Sequence, residues 1–536
     1  MRSDRTAPWA RWRCPSGISR STLHRTRALG AFLSLMVFLV LGACEVKPIG
    51  PEHPIEFHAL KNPDATVLGR LFMPDTDKHA GQSGFELVTS GREAFEGRYQ
   101  FAALAEKTLD VQYFLWNGDA TGRVLMSALL DAADRGVRVR LLLDDLYLEG
   151  KDVNLAILDA YPNVHVRLFN PFNSRTAHFM DFLLDFARVN HRMHDKAFII
   201  DNSVAIVGGR NIGDPYFSAN DEANFRDVDL FAVGPIVREI SDSFDAFWNS
   251  PWATSVRQFE DKRPSTKEIR DLVSRLDQKI ASDQSFPFKT VKDGPTLERF
   301  AEQVRSRLIW GKATLLVDLP DKPQTSEPTV ADALHVDVGQ TLEHELLLES
   351  AYFIPADQGT EHLCGLVARG VRVRILTSSL LSNDEVAVFA AYAKHREDLL
   401  RCGVELHELR TDANFVRKDW TWLKSRSEAN LHTKAAVFDR SKVLIGSFNM
   451  DPRSKYLNTE LAVLVESPEL AEKAAAFIES GMSLDNSYLL NLDNSDIVWL
   501  AREGNHDLQF KSEPNTDLGH SIEMDILSLL PIDELL

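Results

Sequence analysis

The sequence predicts an α/β protein built from two similar α/β domains that are related by pseudo-twofold symmetry and share one active site at their interface. A strand–helix–strand pattern occurs in each half of the 536-residue chain. The hexapeptide Arg-Gly-Val-Arg-Val-Arg occurs at 135–140 and again at 369–374, and the spaced triple His-x-Lys-x4-Asp occurs at 194–201 and at 432–439. An internal duplication explains these repeats most simply, because alternation of apolar residues alone does not require identical residues.

The first half of the chain contains one predicted β-α-β unit. Segment 109–115 alternates and is rich in β-forming residues, which predicts a strand. Segment 123–135 has leucines at helical spacing and stops before Gly136, which predicts a helix. Segment 137–143 alternates again and predicts the second strand.

The second half repeats the same order of elements. We predict a strand at 351–354, a helix at 362–369 that stops at Gly370, and a strand at 371–376. Two such units of like sequence favour two similar domains, and ligands of these sheets bind near strand ends. A shared site at the junction of the halves follows.

Composition suggests where the domains begin and end. Segment 320–328 carries three prolines and few apolar residues, so we predict a linker at 316–329. The first domain is then expected at 60–315 and the second at 330–536. A polar, proline-bearing tether at 45–59 precedes them.

The first 44 residues differ from the rest of the chain and should not be counted in the fold. Seven arginines within residues 2–27 precede an uncharged apolar run at 28–43, which is short for a bilayer span and typical of a signal segment. The run ends at Cys44 in a sequence that resembles a lipoprotein lipobox, so we predict lipidation of Cys44. An uncleaved anchor and a misassigned start are the alternatives. Both the lipoprotein and the anchor place the protein body outside the cytoplasm against a membrane, inner or outer.

Composition narrows the class of protein. The contents of 44% hydrophobic and 26% charged residues exclude a wholly disordered, collagenous or multi-spanning chain, and the net charge is −18. The acidic balance also argues against a nucleic-acid partner, because non-specific nucleic-acid binders carry a basic surplus. The four cysteines have no zinc-finger spacing. We expect Cys364 and Cys402 to be inert core residues rather than to form a disulfide.

The repeated triple carries the chemistry. At average residue usage it should occur by chance about once in 10^4 positions, so two copies in register are a strong signal. The run after each lysine is β-forming, so the His and Lys side chains project from the same face of a strand. Each aspartate falls at a turn, and we expect it to shape that turn more than to contact substrate. The site residues drawn from the triples are His194, Lys196, Asp201, His432, Lys434 and Asp439.

Both triples and their flanks resemble the phospholipase D superfamily. Each triple is followed by a turn of small residues and an asparagine, at 208–211 and 446–449. The longer flanks at 208–217 and 446–454, and the closing segment 527–532, are similar to the bacterial cardiolipin synthases, especially their type C branch. The resemblance implies two phospholipase D-like domains, and we expect neither a cofactor nor a metal.

The resemblance also implies roles for the site residues. A phosphodiester needs positive or polar donors around its oxygens, which Lys196, Lys434, Asn211 and Asn449 supply as phosphate-binding groups. One histidine attacks phosphorus and the other moves protons to and from the alcohols. The resemblance makes His194 the nucleophile, although symmetry leaves the reverse assignment open.

Each histidine needs a partner that holds its tautomer. Asp227 and Glu460 lie at equivalent positions after the two motifs, and the resemblance implies that such carboxylates orient the imidazoles. Asp229 is a rival for the first of these roles, and a solvated strand end is the alternative for either acid. His191 could suggest a metal pair with His194, but no H-E-x-x-H pattern accompanies it.

The expected function is transfer of a phosphatidyl group from a phospholipid to phosphatidylglycerol through a phosphohistidine. A phospholipase D-type hydrolase of lipid or nucleic acid uses the same residues and is the alternative, and a non-catalytic scaffold would have lost a motif residue. Phosphatidylglycerol or phosphatidylethanolamine is the expected donor, and a small protein partner remains open. The aromatic and basic segment 415–426 is expected to contact the headgroup layer of a membrane.

Overall fold

The structure of the chain is a computed structural model that describes residues 56–260, 263–283, 286–325, 327, 329–334, 339, 341–383, 385–419, 427–494 and 496–516. Several predictions therefore concern residues outside this part of the chain. They are the signal segment 1–44 with Cys44, the tether up to residue 55, part of the linker, segment 420–426 and the closing segment 527–532.

The strands of the described chain fall in two matching series. They are β1 Ser83–Val88, β2 Thr108–Tyr113, β3 Arg138–Asp144, β4 Val164–Phe169, β5 Ala197–Ile200, β6 Val204–Gly208, β7 Ala223–Arg226, β8 Asp229–Val233, β9 Ala253–Ser255, β10 Ile309–Val317, β11 Glu345–Ser350, β12 Arg372–Ser378, β13 Glu405–Leu409, β14 Glu428–Leu431, β15 Lys434–Phe438, β16 Lys442–Gly446, β17 Leu461–Glu466, β18 Ser487–Asp493, β19 Asp496–Glu503 and β20 His506–Phe510.

The α-helices connect and cover these strands. They are α1 Val67–Lys78, α2 Gly91–Leu104, α3 Ala120–Asp134, α4 Asp152–Asp159, α5 His178–Leu184, α6 Phe186–Val189, α7 Pro235–Trp248, α8 Thr266–Ser282, α9 Gly294–Ser306, α10 Val330–Leu334, α11 Ala356–Ala368, α12 Val386–Ala393, α13 Arg396–Cys402, α14 Asn414–Asp419, α15 Pro452–Tyr456 and α16 Pro468–Met482.

Each half of the chain forms a sheet, and the two sheets have the same topology. In the first half the hydrogen-bonded order is β9-β4-β3-β2-β5-β6-β8-β1, and in the second it is β17-β16-β15-β11-β12-β13-β18-β19-β20. Strands β2, β3 and β4 are parallel, as are β11, β12 and β13, and each set is bordered by an antiparallel hairpin, β5-β6 or β15-β16. The prediction of two similar α/β domains with pseudo-twofold symmetry is confirmed.

Strand β10 joins the two sheets. Its first residues, 309–311, pair with β1, and its remaining residues, 312–317, pair with β17. One strand therefore belongs to both halves, and it crosses position 315, where the sequence suggested that the first domain ends.

Local sequence signals account for the elements that carry the site. Helix α3 begins where the Asp119 side chain accepts a hydrogen bond from Gly122 N, and it ends before Gly136, whose φ of 91° suits glycine. Its apolar residues pack against the strands of the first core, where full burial of a leucine stabilises the fold by about 1.5–3 kcal/mol. A second core fills the other half.

Two predictions about the second half are wrong. The first strand of the second β-α-β unit was predicted at 351–354, but in the structure it is β11, which ends at Ser350. The apolar run within Glu345–Ser350 forms the strand because it pairs with both β12 and β15. The cysteines expected to be inert form a disulfide between Cys364 and Cys402, whose Cα atoms are 5.4 Å apart. Helices α11 and α13 pack side by side and bring these cysteines within bonding range, which their spacing in the sequence does not reveal.

No helix within the described ranges is long and apolar enough to cross a lipid bilayer.

Candidate active site

His194 is held beside a carboxylate from the other half of the chain. Met193 forms a parallel β-bridge with Thr459, and His194 N donates to Thr459 O at 3.0 Å. This pairing places Glu460 next to the imidazole, so that His194 Nδ1 lies 3.1 and 3.0 Å from the two carboxylate oxygens. Glu460 is fully buried, and the pair is shielded from water.

His432 is held by the reciprocal arrangement. Strand β7 of the first half pairs in parallel with β14 of the second, and His432 N donates to Arg226 O at 2.9 Å. The next residue of the first half, Asp227, then places Oδ2 2.7 Å from His432 Nδ1. Each half therefore orients the histidine of the other, and neither half has a complete site alone.

The two motif lysines are buried next to the histidines. Lys196 Nζ donates to His194 O and Lys434 Nζ donates to His432 O, both at 2.5 Å. Burial lowers the pKa of Lys196 to about 7, with the charge of Lys434 acting in the same direction and that of Glu460 opposing it. An anion between the lysines would relieve this repulsion, so the pair is suited to a phosphoryl group.

The two asparagines follow the hairpins at the same edge. Asn211 Nδ2 donates to the Tyr216 hydroxyl at 3.1 Å, and its Oδ1 accepts from Leu115 N at 3.3 Å. Asn449 is buried, and its Oδ1 has no hydrogen-bond partner among the residues that the structure describes. The role of these amides as phosphate donors stays a prediction, since the unpaired atom of Asn449 is an acceptor.

The motif aspartates lie away from the histidines. Asp201 accepts backbone hydrogen bonds of 2.7 to 2.9 Å from residues 106–108, and Asp439 accepts bonds of 2.7 to 2.9 Å from residues 343–345. Asp201 comes five residues after Lys196 along an extended strand, a path of roughly 16 Å. Each aspartate ties its hairpin turn to the start of the neighbouring strand and contacts no motif histidine.

Burial favours the neutral form of both imidazoles. Burial lowers the pKa of His194 to about 4, although the Glu460 carboxylate opposes the shift. Burial also lowers the pKa of His432 well below its usual range, and the positive charges of Lys434 and Lys196 add to this effect. Burial raises the pKa of Asp227, whereas the pKa of Glu460 is lowered because its interactions with His194, Lys196 and Ser447 together outweigh the effect of its burial.

Serine hydroxyls distinguish the two carboxylates, and the sequence analysis assigned them no role. Ser447 Oγ donates to Glu460 Oε2 at 2.5 Å, and Ser454 Oγ donates to Oε1 at 2.7 Å. The position equivalent to Ser447 is Gly209, where a Cβ would lie 2.3 Å from Asp227 Oδ1. The signal was present in the motif tails, where glycine in the first copy is serine, with its hydroxymethyl side chain, in the second.

Aromatic rings surround the imidazoles and were also missed. The Phe114 ring meets His194 edge-on at 5.1 Å between centroids. Tyr216 and Phe225 both lie 5.1 Å from the His432 ring. Ring contacts of this kind restrict the orientation of the imidazole planes.

The remaining candidates have other partners. Asp229, the rival of Asp227, forms a buried ion pair of 2.8 Å with Arg98 and contacts neither histidine of the motifs. His191 places its two ring nitrogens 2.7 Å from Leu457 O and 2.9 Å from Pro320 O. Its nitrogens face main-chain carbonyls and not a metal ligand set.

Comparisons with known proteins agree with this geometry. A family model described as "Cardiolipin synthase, PLD-like domain" matches residues 100–248 and 341–481, which lie inside the two predicted domains, while the predicted boundaries themselves stay predictions. The chain is 37% identical over 478 residues to "Cardiolipin synthase C" of Escherichia coli (strain K12), covering 88% of this chain and 99% of the relative.

More distant relatives show the same likeness. The chain is 27% identical to "Cardiolipin synthase A" of Pseudomonas syringae pv. syringae, over 74% of this chain and 68% of the relative. The solved structure of a phosphatidylserine synthase from Haemophilus influenzae Rd KW20 shares the fold at 13% identity, with a TM-score of 0.54 over 87% of this chain and 99% of that one. The chain therefore belongs to the cardiolipin synthase family of phospholipase D-like proteins.

Proposed function

We propose that this protein is a phosphatidyltransferase that moves a phosphatidyl group from a phospholipid to phosphatidylglycerol. The observation that supports this most is the crossed pair of histidine–carboxylate contacts, His194 with Glu460 and His432 with Asp227. Two oriented imidazoles beside two buried lysines supply a nucleophile, a proton carrier and positive charge for a phosphodiester.

The reaction proceeds in two displacements. His194 Nε2 attacks phosphorus and forms a P–N bond, while the P–O bond to the donor's headgroup alcohol breaks and His432 gives that oxygen its proton. The hydroxyl of phosphatidylglycerol then loses its proton to His432 and attacks phosphorus, which breaks the P–N bond and restores His194. Lys196 and Lys434 neutralise the charge that develops on the phosphoryl oxygens.

The difference between the two carboxylates supports His194 as the nucleophile. Glu460 accepts hydrogen bonds from two serines, and its lowered pKa keeps it ionised beside His194. An ionised partner at Nδ1 increases the basicity of Nε2 and stabilises the positive ring that forms when it bonds phosphorus. Asp227 has no serine at the position equivalent to Ser447.

His432 must carry a proton to act as an acid. In the substrate-free site the charges of Lys434 and Lys196 help to lower its pKa. A bound phosphodiester brings a negative charge that offsets the charges of these lysines. Binding of substrate therefore raises the pKa of His432 toward its usual range. Substrate binding and uptake of the proton are therefore coupled.

Lipid products test the proposal. Purified full-length protein given phosphatidylglycerol vesicles, with and without phosphatidylethanolamine, is expected to form cardiolipin with little phosphatidic acid, because the buried site limits access of water to the intermediate. The donor is then identified by whether glycerol or ethanolamine is released. Phosphatidic acid as the main product in every mixture would make the protein a hydrolase, and DNA cleavage without lipid turnover would contradict both lipid reactions.

We also propose that the protein works at a membrane outside the cytoplasm. The Cys364–Cys402 disulfide supports this location, because such bonds persist mainly in oxidising compartments. The sequence around Cys44 supports attachment through a lipid-modified cysteine.

Labelled fatty acid tests the mode of attachment. The full chain is expected to incorporate label in cells, and Cys44→Ala is expected to incorporate none and to keep its leader, because a multiply acylated cysteine anchors stably. Cys14→Ala is the matched control and should label normally. A wild-type chain that takes up no label and retains its leader would establish the uncleaved anchor instead.

A further inference from the structure

An exposed apolar surface covers α5 and the start of α6. Phe179 is 69% exposed and Leu184 is 79% exposed, and Met180, Leu183 and Phe186 are also exposed. Residues 179, 180, 183 and 184 are related by helical spacing and form one face. We call the surface formed by these five side chains the apolar edge. The surfaces of soluble monomeric proteins rarely expose a cluster of so many large apolar side chains unless the cluster is an interaction site.

The fold holds this segment in its orientation. The His178 ring stacks on Phe172 with 4.0 Å between centroids, and Phe182 packs against the same ring at 5.5 Å. The inward side of the helix is therefore anchored on the body of the first half, and the outward side is left without a neighbour among the described residues.

The acidic residues of the segment have partners within the protein. The buried Asp181 carboxylate accepts hydrogen bonds from Asn173 N and Ser174 N. Asp185 is bonded to Arg188 at 2.5 Å. The outward surface is therefore mainly apolar, with the ion-paired Asp185 side chain 38% exposed beside it, and such a surface suits hydrocarbon more than a charged partner.

The apolar edge lies at the same end of the sheet as the reacting histidines. It follows the carboxyl end of β4, and β5 begins there because it runs antiparallel to the neighbouring parallel strands. The Arg192 guanidinium lies 5.0 Å from the Phe172 ring centroid and 3.2 Å from Asp144, which joins the base of the segment to the chain that leads into His194.

A second line of contacts leads from solvent to the site. Tyr147 is half exposed on the loop after β3, and its ring meets Phe114 edge-on at 5.5 Å. Phe114 in turn contacts His194. Exposed apolar and aromatic groups therefore surround the His194 side of the site.

We propose that the apolar edge inserts into the acyl region of a phospholipid bilayer and holds the His194 side of the site at the membrane surface. This inference rests on the proposed function, since a diacyl donor can then present its phosphate to His194 while its acyl chains stay in the bilayer. Aromatic and aliphatic side chains on a short interfacial helix bury favourably at that depth.

Spin labels test the depth of insertion. The full chain carrying Leu184→Cys is labelled with a nitroxide and bound to vesicles of phosphatidylglycerol and phosphatidylethanolamine, and the unsubstituted chain supplies the background from native cysteines. We expect more collisions with oxygen and fewer with a water-soluble nickel chelate than for Met73→Cys, an exposed position on α1. Equal nickel access at both positions would overturn the proposal.

A paired variant tests the consequence for catalysis. Phe179→Ser/Leu184→Ser is expected to lower activity on vesicles at least about tenfold and to leave activity on a short-chain, monomeric phospholipid unchanged. The reason is that these two exposed side chains become buried only when the protein is bound to a bilayer. Met73→Ser should change neither activity. An equal loss on both substrates would mean that the segment supports the fold, and would overturn the proposal.

The two readouts separate this inference from the proposed function. A label at 184 that reaches the bilayer supports the inference, whichever lipid product the enzyme makes. Cardiolipin synthesis with a label that stays in water refutes the inference and leaves the function intact. Broadening between labels at 184 that persists as the protein is diluted in lipid would assign the apolar edge to a second copy of the chain, and would likewise overturn the proposal.

Discussion

Replacement of His432 by alanine is expected to lower lipid turnover by about three orders of magnitude or more and still to leave His194 able to take up phosphorus. The reason is the division of labour between the crossed pairs. Without His432 no group protonates the leaving alcohol, yet an activated leaving group needs little protonation. Brief incubation of His432→Ala with a nitrophenyl phosphodiester lipid should therefore produce acid-labile phosphohistidine at His194, detected by mass spectrometry at neutral pH.

The reciprocal variant provides the contrast. His194→Ala should lose turnover to the same extent and form no phosphohistidine, whatever the leaving group. His407→Ala is a matched control, because His407 is also buried in the second half but contacts Ser487 and Glu405 away from the site. Phosphohistidine on His432 in His194→Ala, with none on His194 in His432→Ala, would reverse the assignment.

Replacement of Glu460 by glutamine is expected to lower turnover by about two to four orders of magnitude, because the neutral amide no longer stabilises the imidazole that attacks phosphorus. The loss should persist with an activated leaving group, since nucleophilic attack is affected. Asp227→Asn should show a similar loss on natural phospholipid and a much smaller one on the activated substrate, since its partner His432 acts on the leaving group. Steady-state rates on both substrates measure this difference.

A buried glutamate away from the site provides the control. Glu408 is fully buried in the second half and pairs with Arg396 at 3.1 Å, so Glu408→Gln imposes a comparable change inside a core without touching a motif histidine. We expect Glu408→Gln to lower the thermal stability of the protein and to change its turnover rate little. Equal rescue of Glu460→Gln and Asp227→Asn by the activated substrate would contradict the crossed assignment.

The local sequence was sufficient to find the repeats and to locate the two histidine–lysine sets. Strand, helix and hairpin signals depend on neighbours within a few positions, so the first β-α-β unit was predicted with small errors at its ends. In the second unit the first strand was misplaced to 351–354, because aromatic residues just beyond the end of a strand have the same β-forming character as those inside it.

The residues alone establish that two equivalent histidine–lysine sets exist and that Asp227 and Glu460 occupy matching positions. The crossing of the carboxylates between the halves is seen only in the folded chain, since β7 pairs with β14 and Met193 with Thr459 over separations that no local signal spans. The same is true of the Cys364–Cys402 disulfide and of the outward face of α5, because bonding and exposure depend on which distant segments pack together and which surfaces they leave uncovered.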